Sequence, residues 1–123
     1  NMMNHIKNYK FTVLSIILIL IAVLMPADDV PSVSVPHIDK LVHAGMFGFL
    51  TLCFYGEYFF EKRKIPSILL PWILIEIFAI ITELLQYLVE GRSCDIKDFL
   101  ADTIGSIIVI VIIRYFYGKK VKG

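Results

Sequence analysis

Cysteine is scarce in this chain: Cys53 and Cys94 are its two, with no Cys-x-x-Cys spacing. That excludes a disulfide-stapled scaffold or a zinc knuckle and leaves two unpaired thiols. His-x-x-x-His pairs, a Ser-His-Asp signature and an Arg/His phosphatase signature are all missing, so no common catalytic motif announces a reaction. Charge is sparse too, at 19 % of 123 residues with a net charge of +1. No basic patch stands apart from the flanks of apolar segments, which excludes nucleic acid as a partner. There is no internal repeat, low-complexity tract or second domain, so residues 1–123 read as one domain.

Apolar surface is what the chain has in abundance. Hydrophobic residues make up 58 % of it and the mean hydropathy is +0.77, values of the membrane class rather than of soluble domains. Four segments carry this apolarity: Phe11 to Met25, Leu41 to Phe60, Ile65 to Val89 and Phe99 to Tyr117. A bilayer core of about 30 Å takes about 20 residues at a helical rise of about 1.5 Å. The pattern predicts an all-α, integral membrane four-helix bundle with helices over about 9–26, 40–60, 65–90 and 97–117. The first segment is short and follows His5, Lys7 and Lys10, as a signal peptide would, but Met25 stands where cleavage wants a small residue. It is read as a retained helix.

Lysine and arginine set the orientation. Lys7 and Lys10, then Lys62, Arg63 and Lys64, then Arg114, Lys119, Lys120 and Lys122 fall on one side, against Lys40, Arg92 and Lys97 on the other. The excess predicts cytoplasmic termini and a multi-pass membrane protein. Pro26, Pro31 and Pro36 punctuate an extended outer loop, Pro66 suits a helix start, and Pro71 is placed to bend the third helix.

The ionisable residues inside these segments fall on helix faces. Asp39 and His43 are four apart, with Lys40 beside them; Glu83, Gln86 and Glu90 follow at i, i+3, i+7; Asp95, Asp98, Asp102 and Gly105 follow at i, i+3, i+7, i+10. Arg92 lies in the loop between the last two stripes. All three stripes run to the outer half of the membrane, and turning them inward avoids lipid-exposed charge. Ala44 with Gly48 and Ala101 with Gly105 are small-xxx-small pairs that predict the second and fourth helices as the closest packed.

Asp-Lys-x-x-His at 39–43, Glu-x-x-Gln at 83–86, Arg92, Asp95, Asp98 and a small polar residue three before Gly105 together resemble the VanZ-like family of small bacterial membrane proteins. The resemblance covers the chain from the second helix onward and implies an integral membrane protein connected with glycopeptide (teicoplanin) resistance. Asp102 departs from it, since the family often has Asn there.

Both signs of charge in one outer-leaflet pocket suit a lipid or cell-envelope head group. Lys40, Arg92 and a protonated His43 bind phosphate or carboxylate; Glu83, Asp95, Asp98 and Asp102 accept protons, pair with those cations, or take a hard divalent ion with His43. The roles expected are reactive ones for His43, Glu83 and Asp98, and ligand-holding ones for Asp39, Lys40, Gln86, Arg92, Asp95 and Asp102. Expected partners are membrane lipids, a lipid-linked cell-wall precursor or a glycopeptide, and a second copy of the chain; no cofactor or metal is assigned. The alternatives are a membrane hydrolase or transferase acting on a phosphate-containing lipid, or a small proton-coupled transporter using Glu76 and Glu83. A plainer reading stands beside them: Asp39 and Asp95 or Asp98 as helix N-caps, Glu57 with Arg114 as an ion pair, and Glu76 hydrogen-bonded to Thr82 or Thr51.

Overall fold

A computed structural model describes residues 2–25, 38–89 and 95–122. The described residues form five α-helices and no strand: α1 (Met2–Asn8), α2 (Lys10–Leu24), α3 (Ile38–Lys62), α4 (Leu69–Tyr87) and α5 (Ile96–Lys122). Pro26, Pro31 and Pro36 of the expected outer loop, and Glu90, Arg92 and Cys94, lie outside the described residues.

Local chemistry explains where the helices start and stop. The first expected helix, about 9–26, is α2, and the short α1 ahead of it is separated from it at Tyr9, whose φ of −119° and ψ of 34° leave the helical region, while its ring stacks on Phe54 at 5.8 Å. α2 therefore begins with unpaired N–H groups of its own, and no side chain near it in sequence caps them. Glu57 of α3 supplies the cap instead. Its carboxylate accepts the backbone N–H of Phe11 (2.9 Å), the N–H of Thr12 (2.7 Å) and the Thr12 hydroxyl (2.7 Å). The expected Glu57–Arg114 pair is thus replaced, since Arg114 donates to the Pro66 carbonyl at 2.8 Å. Both groups satisfy backbone atoms that no helix uses.

α4 starts later than the sequence suggests, at Leu69. Pro71 consequently sits in its first turn, where a missing N–H costs nothing, so it is no interior bend; the first full-turn bond runs from Trp72 N–H to the Ile68 carbonyl at 3.2 Å. α5 is capped by Asp95, whose side chain accepts the Lys97 N–H at 2.9 Å. Asp39 is not a cap. It lies within the first turn of α3.

α3 is the centre of the arrangement and packs most extensively on α5 and next on α2, while α4 packs on α5 and α2. Gly105 makes the α3–α5 approach feasible: a Cβ there would collide with the Ala44 carbonyl and stand 2.9 Å from the Ala44 Cα. The apolar core joins Ile19 and Val23 of α2, Phe47 and Leu50 of α3, and Ile75 and Ala79 of α4.

Beyond that core the usual distribution is inverted. Thr12, Ser15, His43, Thr51, Thr82, Glu83, Gln86, Asp98, Asp102 and Ser106 are buried, while Leu70, Ile73, Leu74, Ile77, Ile80 and Leu84 of α4 and Leu100, Ile104, Ile107, Ile108 and Val111 of α5 are exposed. A soluble monomer rarely exposes contiguous apolar surface on this scale. By length and composition, one helix of the described residues, Leu69–Tyr87, is able to cross a membrane; Lys10–Leu24 is apolar but shorter.

Candidate functional site

The start of α3, the end of α4 and the start of α5 meet at one end of the molecule. The helical period puts Asp39 and His43 on one face of α3, Glu83 and Gln86 on one face of α4, and Asp98 and Asp102 on one face of α5. Two linked groups of side chains result.

The outer group is organised by Lys40. Its ammonium donates to Asp39 (2.8 Å), Asp95 (2.9 Å) and Asp98 (2.7 Å), tying the first turn of α3 to the first turn of α5. The Lys40 ammonium beside Asp95, helped by the Lys97 backbone N–H, holds the Asp95 carboxyl below the usual carboxylate range. Lys40 is thereby engaged by three carboxylates within the protein, the pairing with acids that the sequence allowed beside an anion-binding role.

The inner group surrounds His43. Its Nδ1 lies 2.9 Å from Asp102 Oδ1 and 3.8 Å from Glu83 Oε1, and its Nε2 lies 3.7 Å from Asp98 Oδ2. His43, Glu83, Asp98 and Asp102 are all buried, Asp102 completely. Asp98 belongs to both groups, with one oxygen on Lys40 and the other facing the imidazole. Glu83 Oε2 accepts the Asp95 backbone N–H at 3.3 Å. Glu83 Oε1 and Asp102 Oδ2 are buried and accept no hydrogen bond from the described residues, an unfavourable state for carboxylate oxygens away from water. Gln86 is buried one turn from Glu83, and Arg92 lies outside the described residues.

Deeper along α5 the polar residues continue with Thr103 and Ser106, which sequence reasoning did not single out. The Thr51 hydroxyl donates to Ser106 Oγ at 3.1 Å, joining α3 to α5; Ser106 is four residues beyond Asp102, so the same stripe extended by one turn finds it. Thr103 donates to Glu76 at 2.6 Å. Glu76 thus pairs with neither Thr82, which bonds the Ala79 carbonyl, nor Thr51. Thr103 lies off the Asp98–Asp102 stripe, and no spacing signal pointed to it.

A cavity of about 710 Å³ opens elsewhere, between the α1–α2 junction and the second half of α3, beside Phe11, Leu52 and Cys53. Cys53 is ten residues, or roughly 15 Å of helix, from His43. This hollow is lined mostly by apolar surface and holds no residue of the His43 group. Chemistry resides in the cluster, where three helices converge; volume resides in the groove.

The family model described as VanZ/LLP1 matches residues 2–117 of the chain. No curated protein and no solved structure compared with it matches.

Proposed function

The chain belongs to the VanZ/LLP1 family, and on that footing we propose that it is a multi-pass protein of the bacterial cytoplasmic membrane whose His43 cluster binds a lipid or cell-envelope head group. In this reading α2 to α5 form a four-helix membrane bundle with cytoplasmic termini. The cluster then lies in the outer leaflet. The apolar exterior of α4 and α5 supports the membrane setting, and the excess of Lys and Arg at the opposite end supports the orientation.

One observation carries the assignment. Four ionisable side chains from three helices are buried together at one end of the helices, and two of their carboxylate oxygens accept no hydrogen bond from the described residues. Groups so costly to bury are retained in membranes for binding or transport. Contribution to glycopeptide resistance follows if the head group belongs to a cell-wall precursor. The test is to purify the full chain in mild detergent and compare its bound lipids with those of the membrane it came from. Enrichment of one head-group class, lost in Glu83→Gln, is expected; bulk composition in both proteins would overturn the proposal.

A second reading, hydrolysis or transfer at a phosphate-containing lipid, is favoured by the 2.9 Å contact of His43 with Asp102, because a carboxylate that orients an imidazole is the usual support of a general base. Release of phosphate or head group from the enriched lipid class, abolished by His43→Gln, distinguishes catalysis from binding.

A further inference from the structure

We propose that His43, Glu83 and Asp102 form a binding site for one first-row divalent transition-metal ion, through which the cluster accepts the phosphate of a lipid head group. The metal site stands on its own geometry; the phosphate rests on the head-group reading above.

The donors come first. One ligand atom from each residue lies within 4.8 Å of the others, all three residues are buried, and each stands on a different helix. An ion with bonds of about 2.0–2.1 Å to nitrogen and oxygen holds tetrahedral neighbours about 3.3 Å apart. The separations from His43 Nδ1, 2.9 Å to Asp102 and 3.8 Å to Glu83, bracket that edge. With all three ligand atoms within 4.8 Å of one another, small side-chain rotations of Glu83 and Asp102 bring them onto one ion.

Unpaired oxygens point to the same conclusion independently. Glu83 is 5 % exposed and Asp102 0 %, and Glu83 Oε1 and Asp102 Oδ2 take no hydrogen bond from the described residues. Lys40 does not relieve them, because its ammonium is engaged by Asp39, Asp95 and Asp98. Two carboxylates beside a neutral imidazole carry a charge of −2, which one dication cancels.

Donor chemistry selects the ion. An imidazole nitrogen with two carboxylates suits zinc, manganese or iron, whereas magnesium and calcium prefer oxygen alone and copper(I) prefers sulfur. Three protein ligands leave coordination positions open, the arrangement of sites that bind an exchangeable ligand rather than of closed structural sites. The surroundings match as well: with Nδ1 on the metal, Nε2 faces Asp98 at 3.7 Å, and Asp98 is held in turn by Lys40 at 2.7 Å. A carboxylate behind the histidine is the recurrent outer partner of metal-bound imidazole. The ion also removes a contradiction in charge. A cluster of acids whose lysine is occupied repels phosphate, and a dication with open positions attracts it.

The full chain, purified in detergent without chelator, is dialysed against Zn²⁺ or Mn²⁺ and its metal measured by plasma mass spectrometry. About one ion per chain is expected, with affinity lowered roughly 10-fold or more in Asp98→Asn and stoichiometric binding lost in Asp102→Asn and His43→Gln. Glu76→Gln, a half-buried carboxylate change outside the cluster, is expected to keep the ion and shows that the variants fail for lack of ligands rather than of fold. Metal far below one per chain, or equal binding in Asp102→Asn, overturns the site.

The second arm places the chain in phosphatidylcholine nanodiscs carrying undecaprenyl phosphate, with Zn²⁺ or with EDTA. Retention of the phospholipid with Zn²⁺ alone is expected. Metal bound without lipid retention keeps the site and overturns its phosphate ligand; lipid retained equally in EDTA, with no metal bound, overturns the site and leaves the head-group reading intact. Displacement by equimolar inorganic phosphate overturns the lipid as the source of the phosphate.

Discussion

The two ends of this molecule treat charge in opposite ways. Where α2 begins and α3 ends, Glu57 accepts two backbone N–H groups and a hydroxyl, and Arg114 donates to a backbone carbonyl; ionisable side chains there complete the secondary structure. Where α3 and α5 begin, ionisable side chains meet chiefly one another, and two acceptors are left over. Charge used as a cap is engaged by the chain's own backbone, even though Arg114 Nε and Glu61 Oε2 at that end are also buried without a hydrogen-bond partner among the described residues. Charge held with acceptors to spare is available to something else, which makes the second end the one to interrogate for function.

The most drastic way to break the contrast is to pry α3 from α5. Gly105→Ala drives a methyl into the Ala44 backbone, and since overpacking alone costs about 1–3 kcal/mol, folded protein is expected to fall severely, as read by fluorescence-detected gel filtration after heating. Both ends should be lost together. Next in size, Glu57→Ala removes the cap of α2 and is expected to cost about 1–2 kcal/mol, visible as a lowered Tm with lipid enrichment intact. An equal loss of enrichment would dissolve the distinction between the ends.

Glu83→Gln should do the reverse, abolishing head-group enrichment and any glycopeptide tolerance conferred on a susceptible host while changing Tm little, because it removes one charge of a crowded pair and keeps the shape. A large fall in Tm, on the scale of the about 3–5 kcal/mol that follows breaking a buried ion pair, would make Glu83 structural. Smallest is a pH effect at Asp95. Its carboxyl is held below the ordinary value, so its contribution is present above the unfolded-state pKa, near 3.9, and is lost as pH falls through the lower folded value. The Tm difference between the protein and Asp95→Asn should therefore be constant from pH 7 to 5 and shrink below pH 4. Because Asp95 is partly exposed, the difference is small and salt weakens it.

Much of the cluster was legible because helical spacing converts directly into a face: the stripes through His43, Glu83 and Asp98 could be drawn without coordinates, as could the small residues at Ala44 and Gly105. Less legible was which group would meet which. Spacing assigned Asp102 to ligand holding, yet it is the nearest carboxylate to the His43 ring, a fact of how α3 and α5 rotate against each other. Glu57 misled for a similar reason. Its pairing with α2 depends on a helix break at Tyr9, and an aromatic residue between Asn8 and Lys10 carries no break signal. Glu76 found its hydroxyl on a helix face that no apolar or polar period marked.

Lys40 has one more property, which belongs to stereochemistry. An ammonium carries three hydrogens directed toward the corners of a tetrahedron, and here each has its own carboxylate: Asp39, Asp95 and Asp98 at 2.7–2.9 Å. A guanidinium carries the same charge in a flat fork that grips carboxylates in its own plane. Arginine at this position would conserve every property that a charge count records and still be unable to reach three carboxylates around a single nitrogen. The position discriminates between two cations by the shape of the space around them.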